Sequence, residues 1–240
     1  MKKSEVMALL RENKDERGIA NWKKNTKFAK SLKSYGIGLT KLRKMAKEIG
    51  KNHKLALSLW NSDYHEAKIL GLLIDDPKLI TREQVEEQVE NLKGGYLCHV
   101  FSSCDATLAK TPFVVDLACE WMGSKDKIRR SCAWGLIYEI AKFKGKKAPD
   151  QAFFLDCIAR IQESMIPSEN MWVKESMNGA LLGIGKRDKK LNTAAIKAVK
   201  AIGPVHIDYG DDNSCEPLDV IKHLTSDYMK KKFAKQAASK

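Results

Sequence analysis

Ser124-Lys125-Asp126-Lys127-Ile128-Arg129-Arg130-Ser131-Cys132-Ala133-Trp134-Gly135-Leu136-Ile137 lies in register with Ser168-Glu169-Asn170-Met171-Trp172-Val173-Lys174-Glu175-Ser176-Met177-Asn178-Gly179-Ala180-Leu181, 44 residues further on. In each copy a Ser in the N-cap position precedes an apolar residue four on (Ile128, Trp172). A basic residue follows two later (Arg130, Lys174), and a Gly stands eleven after the cap (Gly135, Gly179). Ser62 to Gly71 is a looser third copy. A period of about 40–47 residues is that of HEAT helix pairs. Such pairs cannot bury their apolar faces alone, so they stack on one another. The predicted fold class is therefore all-α: a HEAT-like helical-repeat solenoid, a curved superhelix of antiparallel helix pairs with a concave inner face. Gly inside a helix costs about 1 kcal/mol against Ala, so its recurrence predicts close helix packing.

Outward from the repeat, nearly everything reads as helix. Apolar spacing predicts helices over 4–12 and 16–33, a break at Gly36-Ile37-Gly38, and a basic helix from Lys41 to Ile49. Predicted pairs follow at 52–60 with 64–74 and at 82–92 with 96–108, where Thr81 and Gln84 read as a capping box. Further helices are predicted at 112–122, 125–143, 150–163, 169–184, 189–202 and 217–224. Residues 1–240 are read as one repeat domain, with an irregular loop at 203–217 and a basic C-terminal helix or tail at 226–240.

The 43 Lys and Arg against 30 Asp and Glu leave a net charge of +13. Such an excess favours polyanionic partners, nucleic acid first and an anionic membrane surface second. The alternative is a basic surface with no partner. Six cysteines at 98, 104, 119, 132, 157 and 215 form no Cys-x-x-Cys pair and sit mostly in apolar runs, which predicts a reducing compartment without disulfides. No signal-peptide pattern follows Met1-Lys2-Lys3-Ser4 and no membrane span is expected, so a cytoplasmic monomer is predicted. No Walker or dinucleotide glycine loop occurs, so no cofactor is expected. His206, Asp208, Asp211 and Cys215 match no standard metal spacing, and they suit turn hydrogen bonds better.

The candidate chemistry centres on Phe101 and Asp105. On a continuous helix the i and i+4 side chains project together, placing an aromatic ring beside a carboxylate. Arg129 and Arg130 open the apolar run from Cys132 and are the cations expected to approach that carboxylate. The bland alternative is a structural ion pair. Lys41, Arg43, Lys44, Lys47, Arg129 and Lys174 are the expected DNA contacts.

These residues carry a resemblance. From about residue 5 to residue 200 the chain resembles the AlkD-type DNA alkylation repair family, bacterial alkylpurine DNA glycosylases built from HEAT-like repeats. The local signals are Phe101 to Asp105, Ile128-Arg129-Arg130 and Asn170-Met171-Trp172-Val173-Lys174, while the spaced pattern Val205, Asp208, Gly210, Asp211, Cys215, Pro217 resembles a sub-branch of that family seen in bacteria. The resemblance implies a basic concave cleft for duplex DNA, lined by a Trp, an Asp four residues on, an Arg from the next repeat and a second Trp. The Asp maps onto Asp105 and the Arg onto Arg130. Phe101 occupies the first Trp position, and the second falls at or next to Gly179. Phe101, Gly179 and Trp172 are thus the expected substrate-binding positions. Release of a cationic N3- or N7-alkylpurine needs little acid catalysis; it needs a carboxylate to stabilise positive charge on the sugar and to place a water. Three readings remain open: such a glycosylase, a DNA-binding protein of the same fold acting on damaged or branched DNA without base release, and a protein-interaction scaffold.

Overall fold

The computed structural model describes residues 1–24, 32–93, 95–208 and 216–238. The chain divides into two compact units, Met1–Val114 and Val115–Lys240, where the sequence reading has a single domain.

The first unit contains α1 (Lys3–Glu12), α2 (Glu16–Lys24), α3 (Leu39–Ile49), α4 (His53–Trp60), α5 (His65–Ile74), α6 (Arg82–Glu90) and α7 (Gly95–Ser102), followed by a 3-10 turn at Thr107–Lys110. Leu55, Leu59 and Trp60 of α4 meet Ala67, Ile69 and Leu70 of α5 in its core. Gly71 permits that approach, since a Cβ there would lie 2.9 Å from the Ala56 carbonyl oxygen. The predicted helix over 16–33 is cut short. Residues 25–31 lie outside the described set, and Lys33 makes a parallel β-bridge with Tyr64 instead. Buried Glu66 explains the extended segment that follows. Its carboxylate accepts from Ser34 Oγ (2.6 Å), Tyr35 N (3.0 Å) and Ile37 N (3.2 Å), replacing the hydrogen bonds a helix would have supplied. The Thr81 cap forms as expected, accepting from Gln84 N at 3.1 Å, but the Gln84 side chain turns away to Asp75 Oδ2.

The second unit contains α8 (Val114–Met122, from its second residue), α9 (Lys127–Ile140), α10 (Gln151–Ser164), α11 (Met171–Gly185), α12 (Lys189–Ile202), α13 (Val220–Leu224) and α14 (Asp227–Ala238). The internal repeat is real, but its caps are shifted by two. Asp126, not Ser124, accepts from Ile128 N and Arg129 N, and Asn170, not Ser168, accepts from Trp172 N. A short carboxylate or amide reaches the N2 and N3 donors as well as a hydroxyl does, so Ser two residues upstream was the wrong member of the pattern. Helices α9 and α11 pack side by side and parallel. Ser131 Oγ meets Ser176 Oγ at 2.8 Å near their amino ends, and Gly183 lies against Tyr138 near their carboxyl ends. The close approach expected at Gly179 is therefore made by Gly183, whose Cβ would fall 2.8 Å from Tyr138 Cδ2. Trp121 and Trp134 are core residues, each 1% exposed. Asn192 Nδ2 donates to both Gly185 O and Leu224 O at 3.1 Å, tying α13 to the carboxyl end of α11. Of the predicted loop at 203–217, residues 209–215 lie outside the described set, including Asp211 and Cys215. Among the described residues no helix is long and apolar enough to cross a membrane.

Candidate nucleic-acid interface

In the first unit, α7 stops at Ser102, six residues short of the predicted end, and that early stop separates Phe101 from Asp105. Cys104 and Asp105 take left-handed backbone conformations, with φ of +58° and +69°. Two consecutive non-glycine residues in that region are strained, and strain of this kind collects at functional sites. The consequence is a division of roles. Phe101 stays on the buried face of α7, 1% exposed and 6.2 Å from the Trp60 ring, so it is a core residue and not a cleft wall. Asp105 is turned outward, with 64% of its side chain exposed.

The carboxylate of Asp105 has a different cation from the one expected. Arg43 of α3 places Nε 3.0 Å from Oδ2; the distance is that of an ion pair, but the N–H is not aligned for a hydrogen bond. Lys110 Nζ lies 3.4 Å from the Asp105 carbonyl oxygen. Lys41, Lys44 and Lys47 are exposed along the same α3, and none has an ion-pair partner among the described residues. Leu42 and Met45 bury the opposite face and so fix which side presents the lysines.

An aromatic row in the same unit has no counterpart in the spacing of the sequence. Trp22 of α2 lies 4.5 Å from His65 of α5, His65 lies 6.1 Å from Tyr96 of α7, and Tyr96 lies 6.1 Å from His99. Only the Tyr96–His99 spacing is local; the other two contacts join helices distant in sequence. Tyr96 is 49% exposed, in contrast to the buried Phe101. Burial and the neighbouring Cys104 raise the pKa of its phenol, against an opposing effect of Arg43. His65 is 6% exposed, and burial pushes its imidazole down to about 4 despite Glu66 beside it. Burial pushes the Cys104 thiol up, but the His99 hydrogen bond and charge, the Ser103 hydroxyl and Arg43 together bring it below the usual thiol value.

In the second unit, Arg130 is fully engaged. Nε and Nη2 grip Glu169 at 2.9 and 2.7 Å, and Nη1 donates to Ser124 O and Lys125 O, both at 2.9 Å. This bidentate clamp raises the guanidinium pKa further. Burial pushes Glu169 up, but Arg130 and the Asn170 N–H outweigh it and hold the carboxyl below its ordinary value. Arg130 therefore buttresses the start of α11, its guanidinium taken up by Glu169 and two backbone carbonyls of its own unit. Arg129 lies against Asp126 at 3.2 Å and over the Trp121 ring at 6.0 Å. Lys174 Nζ donates to Pro167 O at 3.1 Å. Trp172 is half-buried at the N-terminus of α11, and a Cβ at Gly179 would meet nothing within 4 Å, so that position opens onto free space. Of the metal candidates, His206 and Asp208 are described, whereas Asp211 and Cys215 are not.

The geometry is that of an all-α helix-pair repeat protein with a row of exposed lysines flanking an exposed, ion-paired carboxylate. The family model described as DNA alkylation repair enzyme matches residues 6–214, and the chain belongs to that family. The uncharacterized protein Lin0241 of Listeria innocua is 29% identical over 203 residues, covering 81% of this chain and 83% of that protein. The uncharacterized protein Lmo0209 of Listeria monocytogenes is 29% identical over 204 residues with the same coverage. A solved structure described as belonging to a new family of proteins related to the HEAT-like repeat DNA glycosylases, with affinity for branched DNA structures, aligns with a TM-score of 0.81 at 19% identity. The alignment covers 97% of this chain and 96% of that one. The likeness is one of fold and makes this chain HEAT-like.

Proposed function

We propose that this protein binds DNA through the lysine face of α3 and releases cationic N3- or N7-alkylpurines at Asp105. The observation that carries the reading is the outward-turned Asp105 carboxylate paired with Arg43 on the cationic α3, with the exposed Tyr96 ring near enough to Cys104 and Arg43 to respond to both. The lysines draw in the phosphate backbone. Tyr96 offers a ring face to a cationic base or to the sugar, a contact of about 0.5–2 kcal/mol. Asp105 stabilises the positive charge that develops on the deoxyribose and orients the attacking water. Arg43 fixes the direction of the carboxylate, and it stands ready to turn to a phosphate when DNA arrives.

A second reading, DNA binding without base release on damaged or branched DNA, is favoured by two observations: the Arg43 charge already opposes that of Asp105, and Phe101 is buried. Duplex carrying N7-methylguanine separates the two readings. Free base from the unmodified protein supports the first; retention of binding with no base release supports the second. Loss of all salt-dependent binding would sink both.

A further inference from the structure

The second unit carries an accumulation of positive charge that the sequence reading does not place. The contacts expected in this unit, Arg129 and Lys174, lie near the amino ends of α9 and α11, where Asp126 neutralises Arg129 and Glu169 neutralises Arg130. Because the two helices are parallel, their carboxyl ends also meet, and there they border a cavity of about 510 Å³. Lys142, Lys144, Lys186, Arg187 and Lys232 line it, the last contributed by α14.

Helix capping accounts for part of this cluster. Arg187 Nη1 donates to Ala141 O and Phe143 O at 2.6 and 3.0 Å, closing the end of α9, and Lys232 Nζ donates to Lys186 O at the end of α11. Lys142 is paired with Glu139 at 2.8 Å. Asp188 also borders the cavity, accepting from Leu191 N and Gln151. Five cations therefore face two carboxylates and two helix ends of about half a negative charge each, leaving about two positive charges in excess. Lys144 and Lys186 have neither a carboxylate nor a carbonyl partner among the described residues. Burial, with Lys142 nearby, depresses the Lys186 ammonium pKa; burial with Lys144, Lys186 and Arg187 does the same at Lys232. An anion in the cavity relieves that repulsion. Beyond the cavity the positive track continues over exposed Lys146 and Lys147. A small free anion occupies the cavity alone, whereas a polymer of phosphates uses the cavity and the track together.

The geometry points to a phosphodiester-binding site in which this cavity takes adjacent backbone phosphates of a DNA strand, contacted by Lys144 and Lys186 over a floor fixed by Arg187 and Lys232. The site rests on the DNA-binding reading above. It adds a second contact area roughly 20 Å from the amino end of α9, the length of a 14-residue helix.

The test is a salt titration of DNA affinity for the unmodified protein, for the double variant Lys144→Gln with Lys186→Gln, and for Lys41→Gln with Lys44→Gln. Thermal unfolding of each variant provides the check on folding. The cavity variant is expected to melt no lower than the unmodified protein, since losing these charges relieves the same repulsion, and to flatten the slope of log affinity against log salt by about 0.9 for each phosphate it no longer neutralises. A slope unchanged in the cavity variant but reduced in the α3 variant overturns the cavity site and leaves the DNA-binding reading standing. A slope near zero in the unmodified protein overturns both. Tripolyphosphate that binds the unmodified protein and not the cavity variant, while the DNA slope is the same in both, assigns the cavity to a free anion and also overturns the proposal.

Discussion

At the scale of the residue, the backbone of Asp105 makes the decisive substitution a clean one. Asn tolerates the left-handed region about as well as Asp, so Asp105→Asn removes the charge without adding strain at φ +69°. The carboxylate is exposed, and losing its pair with Arg43 should change stability by less than about 1 kcal/mol. Arg130 is the opposite case. Arg130→Ala leaves the Glu169 carboxylate, 10% exposed, without its bidentate partner, and a loss of about 3 kcal/mol in urea unfolding at pH 7 is expected. The sign of its pH dependence follows from Glu169. A carboxyl held below its unfolded value stabilises the fold at pH above that value, and the contribution disappears as pH falls through the folded pKa. The difference between the variant and the unmodified protein should accordingly be full at pH 7 and narrow below about pH 4.5. A constant difference down to pH 3 would show that Arg130 stabilises by packing alone.

At the scale of the element, glycine and histidine give separate tests. Gly183→Ala sets a methyl group 3.2 Å from the Tyr138 backbone, which cannot move cheaply, and a cost of about 1–3 kcal/mol is expected. Gly179→Ala meets open space and should raise the unfolding free energy by up to about 1 kcal/mol. His65, held neutral to about pH 4 between α2 and α7, is charged in the unfolded chain below about 6.5. The unfolded state then binds the extra proton, so stability should fall between pH 6.5 and 4, by an amount on the order of 3 kcal/mol, and His65→Phe should remove that slope. A ring signal of His65 titrating near 6.5 by NMR would contradict the burial. The helices themselves were legible because the apolar period and the cap residues are local signals. The repeat of 44 residues was legible for the same reason, even with each cap misread by two positions. The end of α7 was not legible. Nothing in Ser102-Ser103-Cys104 announces a stop, since the chain leaves the helix there to reach the 3-10 turn, where Thr107 Oγ1 donates to Leu72 O across 35 residues. Once the helix ends early, the i and i+4 argument that joined Phe101 to Asp105 no longer applies. Neither Arg43 nor the aromatic row could be placed from spacing, because both depend on which helices of the first unit become neighbours.

At the scale of the whole molecule, the net charge of +13 is a statement about partners, not about the fold. Its exposed share is uneven: the lysines of α3 are unpaired among the described residues, while Arg129, Arg130 and Lys174 are engaged within the protein. Substituting Lys41 and Lys44 should therefore flatten the salt dependence of DNA affinity, whereas Arg129→Gln should leave it nearly unchanged. Equal effects from the two sets would mean that the Asp126 and Trp121 contacts of Arg129 give way to DNA. Chemistry at Asp105 is put to the question by release of free base from duplex containing N7-methylguanine, measured side by side for the unmodified protein and Asp105→Asn. The unmodified protein should release base, the variant should fall by about 10²- to 10³-fold, and binding to undamaged duplex should be undiminished. Equal release by the two proteins, or none from the unmodified protein, would contradict a role for the Asp105 carboxylate in base excision.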